Sequence, residues 1–211
     1  MKSGHGHTPP VNQENIKIVR NGTDRLHIAF QIENPAINLI ELINFNLFDL
    51  LFKINKDICE SYQLDVRNKG EARLQLILKH ILKDLGVPHM WTNAIIVREN
   101  LHNKVVFTVT NVPLSEMVFS KDYELIPVKN ITVYCDITNM HKIGVIVDVL
   151  CEDEEITDSD DEDQDQDQIG GTGMRTFLDK MTMNVLKNII NRLKQFMEKT
   201  PYTSNQDFCA R

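Results

Sequence analysis

The sequence has 211 residues, of which 42% are hydrophobic and 25% are charged, and its formal net charge is −7. This length suffices for one buried core of ordinary domain size, and the composition excludes a collagen-like or wholly disordered chain. The charge is unevenly divided: residues 1–151 carry 16 basic and 16 acidic side chains, residues 152–168 carry 11 acidic and no basic ones, and residues 169–211 carry seven basic and three acidic ones.

Residues 1–14 are rich in glycine, histidine and proline and have no apolar period, so we predict a disordered N-terminal tail. The tail lacks the apolar run of a secretory signal. We therefore expect a cytoplasmic or nuclear protein, with virion association as a further location because frequent Asn, Ile, Lys and Asp are typical of AT-rich coding sequences. Cys59, Cys135, Cys151 and Cys209 form no C-x-x-C pair, so we interpret them as free thiols.

The most apolar stretch, residues 36–54, opens after Pro35 and predicts a first helix. One broad apolar arc should face a core, and it consists of Leu39, Ile40, Ile43, Leu47, Leu50, Leu51 and Ile54. Phe45, Phe48 and Phe52 form a second stripe, which is either sandwiched within the fold or offered to another chain, and we assign it as partner-binding. The ionised residues within this stretch exclude a transmembrane segment.

A second helix is predicted over residues 69–85, where six apolar residues recur at helical spacing before Gly86 and Pro88. Alternating apolar residues predict three β-hairpins, formed by residues 16–20 with 26–32, 94–98 with 104–109, and 131–137 with 143–150. Hairpins impose antiparallel pairing. The expected fold class is therefore α+β, with an antiparallel sheet of about six strands covered by two helices, within residues 15–151.

Residues 152–173 form a predicted disordered acidic linker, because like charges repel and apolar residues are scarce. Three interpretations remain open for it: an inert spacer, a surface that attracts a basic protein, and a regulated switch. Thr157 and Ser159 lie among acidic residues and are predicted phosphorylation sites for an acidic-directed kinase.

Residues 174–199 predict a basic amphipathic helix, which a flexible tail over residues 200–211 follows. We assign its apolar side as partner-binding, with Leu178, Val185, Leu186, Ile189, Leu193 and Phe196 as the contacting residues. The helix could instead fold back on its own domain, self-associate, or adsorb to an anionic membrane.

No catalytic, cofactor or metal site is predicted. His80, Asp84 and His89 match no known spacing of metal ligands, and the glycines near residue 171 lack the Lys-Ser/Thr ending of a phosphate-binding loop. No sequence context marks a nucleophile.

These features favour a non-enzymatic structural or adaptor protein, such as a viral structural component, that binds protein partners or self-associates through the phenylalanine stripe and the C-terminal helix. One alternative is a transcription or nucleic-acid-associated regulator whose acidic segment contacts basic factors. Another is an enzyme whose catalytic groups converge from distant positions.

Overall fold

The computed structural model describes residues 16–22, 24–80, 89–112, 123–126, 128–151 and 171–201, with residues 171–182 described by their backbone alone. Within these residues lie nine strands, one 3₁₀ helix and two α-helices. In chain order they are β1 (Ile16–Asn21), β2 (Arg25–Glu33), the 3₁₀ helix (Leu39–Leu42), α1 (Asn46–Ile54), β3 (Cys59–Val66), β4 (Glu71–Leu78), β5 (His89–Leu101), β6 (Lys104–Asn111), β7 (Tyr123–Leu125), β8 (Val128–Asn139), β9 (Lys142–Cys151) and α2 (Gly171–Lys199).

All nine strands belong to one sheet with the order β1-β2-β9-β8-β6-β5-β4-β3, while the short β7 pairs with β5. Every pairing is antiparallel except that of β7. The pairing of β2 with β9 joins the two ends of the strand region, with Arg25 opposite Leu150 and Glu33 opposite Lys142. The three predicted hairpins are present, but the predicted sheet of about six strands covered by two helices is wrong.

The first predicted helix is divided. Residues 36–54 form a 3₁₀ turn and then α1, and Asn44 lies between them. The side chain of Asn38 accepts a hydrogen bond from the Ile40 N–H at 3.1 Å, and that of Asn44 accepts one from the Asn46 N–H at 2.7 Å. Asparagine side chains compete in this way with helical backbone hydrogen bonds, so the continuous helix does not form.

The second predicted helix is wrong, because Glu71–Leu78 is strand β4, paired with β3 and β5. Ala72 and Leu74 are buried whereas Gln75 is exposed, which is the alternation of a strand. Its apolar residues fit both periods, and the hairpin turn at Asn68, whose side chain accepts the Gly70 N–H at 2.7 Å, favours the strand. Residues 81–85 of this prediction lie outside the described residues.

Helix α2 begins three residues before the predicted helix, so residues 171–173 belong to it and not to the linker. The C-terminal part of α2 packs against β2 and α1. Leu193 and Met197 are buried in the core that β2 and α1 share, and the Asn34 side chain donates to the Met197 and Thr200 carbonyls at 2.7 and 3.0 Å. An ion pair of 2.5 Å joins Arg192 to Asp57. The C-terminal part of the helix is thus a component of the fold.

Candidate functional site

On the inner face of the sheet, which faces the helices, side chains change from buried at one end of the strands to half-buried at the other. We call these the closed end and the open end. In β9 the inward-facing side chains are Ile143 and Val145, which are buried, and then Val147 and Val149, which are half-buried. Alternation places these four on one face, since successive side chains of a strand point to opposite sides.

The neighbouring strands repeat this change at the same end of the sheet. In β6, Val105 and Phe107 are buried but Val109 is half-buried, and in β8 Cys135 is buried but Ile131 is half-buried. Register aligns these ends, because Val109 lies opposite Ile131 in the β6–β8 pairing. We name the half-buried row at this end the open strip, and it consists of Leu26, Leu76, Thr92, Val109, Asn111, Ile131 and Val149.

Aromatic side chains and α2 fill the closed end. The rings of Phe45 and Phe48 pack edge-on against Phe107 there, with centroids 6.2 and 5.3 Å apart. The ring of Phe52 lies 4.9 Å from that of Tyr62, which is paired with Leu76 of the open strip. Phe45 and Phe52 are only 5% and 6% exposed. Phe45 and Phe52 therefore stabilise the core, whereas Phe48 is half-buried. The assignment of this stripe as partner-binding stays a prediction.

The residues on the predicted partner-binding side of α2 differ in their burial. Leu193 is buried in the core, and Phe196 remains 39% exposed. Val185, Leu186 and Ile189 are half-buried, and the side chain of Leu178 lies outside the described part of the chain. Ile190, Leu193 and Met197 contact the core. The apolar side of α2 therefore packs against the domain at its C-terminal end.

Two polar side chains interrupt the open strip. The Thr92 hydroxyl donates to the side-chain oxygen of Asn111 at 2.7 Å. The Asn111 amide donates in turn to the carbonyls of Val128, at 2.7 Å, and Ile126, at 3.3 Å. This pair ties the end of β6 to the β7–β8 connection, and none of the seven residues of the open strip is ionisable.

Ionisable groups on the inner face lie away from the open strip or stay neutral. Burial raises the pKa of the Cys135 thiol to about 12. Burial, and then the hydrogen bond from its hydroxyl to Asp49, raises the pKa of Tyr62 to about 12. The Arg98 guanidinium donates to the Ile43 carbonyl at 3.2 Å, while its buried Nε has no hydrogen-bond partner among the described residues. Arg98 is six residues from Thr92 along β5, or about 20 Å.

A cavity of about 180 Å³ lies along β3, β4 and β5. Leu76 and Thr92 of the open strip are among the residues that line it, together with Ser61, Tyr62, Gln63, Gln75, Ile77, Trp91 and Asn93. Ligand pockets typically enclose about 300–1,000 Å³. This cavity is therefore smaller than a typical ligand pocket.

One cluster of titratable rings lies at the start of β5. His89 stacks between His80 and Tyr123, with centroids 5.2 and 4.5 Å away, and its Nε2 is 3.1 Å from a carboxylate oxygen of Glu60. Across the described ranges, no three histidine, cysteine or acidic residues converge as metal ligands would.

The acidic linker, Thr157 and Ser159 lie beyond the described ranges, so phosphorylation and a basic partner stay predictions. Among the helices that the structure describes, none combines the length and apolar content needed to cross a bilayer.

Sequence reasoning placed Leu76 in the predicted second helix, left Thr92 and Asn111 outside the predicted elements, and assigned no residue of the open strip to a site. Alternating apolar residues did predict the strands that contain Val109, Ile131 and Val149. No local pattern connects them with Leu26 or Leu76, because only the pairing of distant strands does so.

No protein-family model matches the sequence, and no curated protein matches it. Solved structures do resemble it. The human StarD13 (DLC2) lipid transfer and protein localization domain matches with a TM-score of 0.57 at 7% identity, over 88% of this chain and 90% of that one. Human STARD10 matches with a TM-score of 0.55 at 7% identity, over 87% and 73% of the two chains. Human StAR-related lipid transfer protein 5 matches with a TM-score of 0.54 at 10% identity, over 89% and 90%.

At such low identity these likenesses show the fold alone. The chain has the START-type helix-grip fold, in which a long C-terminal helix lies against an antiparallel sheet. The prediction of an adaptor or viral structural protein is therefore wrong. The solved structures that share this fold include lipid transfer proteins.

Proposed function

We propose that this protein binds an apolar small molecule or lipid along the open strip. The single observation that carries the proposal is the uniform change from buried to half-buried side chains at one end of six neighbouring strands. Half-buried aliphatic side chains still have apolar area to remove from water, and a ligand can remove it. The fold likeness to lipid transfer proteins supports the same function.

The size of the effect sets the affinity to look for. A ligand that buries about 300 Å² of apolar surface gains about 7.5 kcal/mol at about 25 cal/mol per Å². Part of this gain offsets the freedom lost on association, so dissociation constants in the micromolar range or weaker are expected. The proposed binding requires no chemical step, so we expect bound ligands to be released unchanged.

The test is binding of Nile red, a neutral apolar dye, to the full chain and to two matched variants. Ile131→Trp fills the open strip, whereas Ile146→Trp places the same ring on the outer face of the next strand, where Ile146 is 40% exposed. We expect Ile131→Trp to weaken binding at least about tenfold, and Ile146→Trp to leave it unchanged.

Equal dye affinity in wild type and Ile131→Trp would refute the site, as would equal losses in both tryptophan variants. Circular dichroism checks that each variant is folded, and Val109→Phe fills the same strip if Ile131→Trp does not fold. Transfer of a labelled lipid between vesicles then distinguishes a carrier from a protein that only holds its ligand.

A further inference from the structure

The polar pair within the open strip has a defined set of hydrogen-bonding groups. Asn111 must point its nitrogen at the Ile126 and Val128 carbonyls, because an amide oxygen cannot donate to them. Its oxygen therefore faces Thr92, and at 2.7 Å the Thr92 hydroxyl has to donate to it. The orientation of both side chains follows from these contacts.

Every donor hydrogen of the pair is consequently occupied. The Thr92 hydroxyl has one hydrogen and the Asn111 amide has two, and all three point to carbonyl oxygens. Lone pairs remain on Thr92 Oγ1 and on Asn111 Oδ1, and within the described residues no donor reaches them. Toward the open strip, the pair can only accept hydrogen bonds.

A ligand group that meets this pair must therefore be a donor. A hydroxyl or an N–H gains a hydrogen bond there, while an ionised carboxylate has only lone pairs to present. The open strip itself contains no cation to compensate such an anion, and burying an uncompensated charge is costly. Arg20 lies opposite Leu26 at the far edge of the sheet, five strands from Thr92 and so about 24 Å away.

Taking the proposed apolar site as given, we propose that it selects neutral ligands that carry a hydroxyl or N–H group, and that Thr92 and Asn111 accept that hydrogen bond. The pair then determines specificity within a site whose affinity comes from aliphatic contacts. A purely structural role for the pair, in holding the β7–β8 connection, predicts no preference among ligands with equal apolar area.

The test compares three probes of matched chain length: dodecan-1-ol, 1-methoxydodecane and dodecanoate, each displacing Nile red at pH 8. We expect the alcohol to bind about fivefold more tightly than the ether, which corresponds to one net hydrogen bond. Dodecanoate should bind about 100-fold more weakly than the alcohol. Thr92→Val should reduce the alcohol's advantage over the ether, Thr92→Ser should keep it, and Thr110→Val, on the exposed outer face of β6, should leave it unchanged.

Equal binding of alcohol and ether to the wild-type protein would overturn the specificity while leaving the apolar site intact. Tighter binding of dodecanoate than of the alcohol would overturn it as well, and would indicate a cation at the site. Failure of all three probes to displace Nile red would refute the proposed function together with this inference. An unchanged alcohol preference in Thr92→Val would show that Thr92 does not accept the ligand's hydrogen bond. The double variant Thr92→Val with Asn111→Leu then tests whether Asn111 accepts it, and an unchanged preference there would overturn the specificity.

Discussion

Asn34 fastens the C-terminal end of α2 to the sheet, so replacing it measures how firmly that helix belongs to the fold. The side chain is 2% exposed. Its amide donates to the Met197 and Thr200 carbonyls, and its oxygen accepts the Ala36 N–H at 2.9 Å. Each hydrogen bond contributes about 1 kcal/mol net, so Asn34→Ala should lower the free energy of unfolding by about 2–3 kcal/mol.

Urea unfolding followed by circular dichroism measures this loss, with Asn188→Ala as the control. Asn188 is exposed on the same helix, and alanine favours helix, so the control should stay within about 0.5 kcal/mol of wild type. Hydrogen exchange should also accelerate at the last amides of α2 in Asn34→Ala. If Asn34→Ala lowered the free energy of unfolding by less than about 0.5 kcal/mol and left hydrogen exchange unchanged, the packing of α2 on the sheet would be refuted. A helix that is only tethered to the domain would then be the better description.

Three further substitutions test the core, the thiol and the first turn. Phe107→Ala should lower the free energy of unfolding by about 3–5 kcal/mol, because Phe107 is fully buried beneath Phe45 and Phe48; a loss under about 1 kcal/mol in urea unfolding would contradict the closed end. Burial raises the Cys135 pKa from 9.0 to about 12, so the unfolded chain loses this proton first as pH rises. Wild type should therefore lose about 2 kcal/mol more stability between pH 9 and pH 11 than Cys135→Ala, and parallel pH curves would contradict this. Gly22 has a φ of 75°, so Gly22→Ala should cost about 1 kcal/mol in the same assay, and no loss would contradict the left-handed turn.

Local chemistry predicted the hairpins well. Gly22 supplies the positive φ of the first turn, and alternating apolar residues in β8 and β9 fit no helix. These signals depend only on neighbours in sequence.

The helices were harder to predict because apolar spacing alone is ambiguous. In β4 the residues Leu74, Leu76 and Leu78 alternate as in a strand, yet Leu74, Ile77 and Leu78 also fit a helical face. What decides is pairing with β3 and β5, which lies outside any local window. The surface against which the apolar side of α2 packs likewise depends on tertiary structure.

The candidate site could not be predicted because it exists only after six strands are in register. Leu26 and Val149 are 123 positions apart in the chain and become direct neighbours through the pairing of β2 with β9. Thr92 and Asn111 look like ordinary strand residues until the β7–β8 connection occupies the amide hydrogens. Sequence reasoning identified the hairpins but not the end of the sheet that remains open.

Methyl NMR spectra recorded with and without dodecan-1-ol show directly whether a ligand binds along the open strip. The signals of Leu26, Val109, Ile131 and Val149 should shift as the ligand saturates, while those of buried Ile143 should not. Shifts confined to methyl groups of the outer face, or no shifts at all at saturating alcohol, would contradict a ligand site along the open strip.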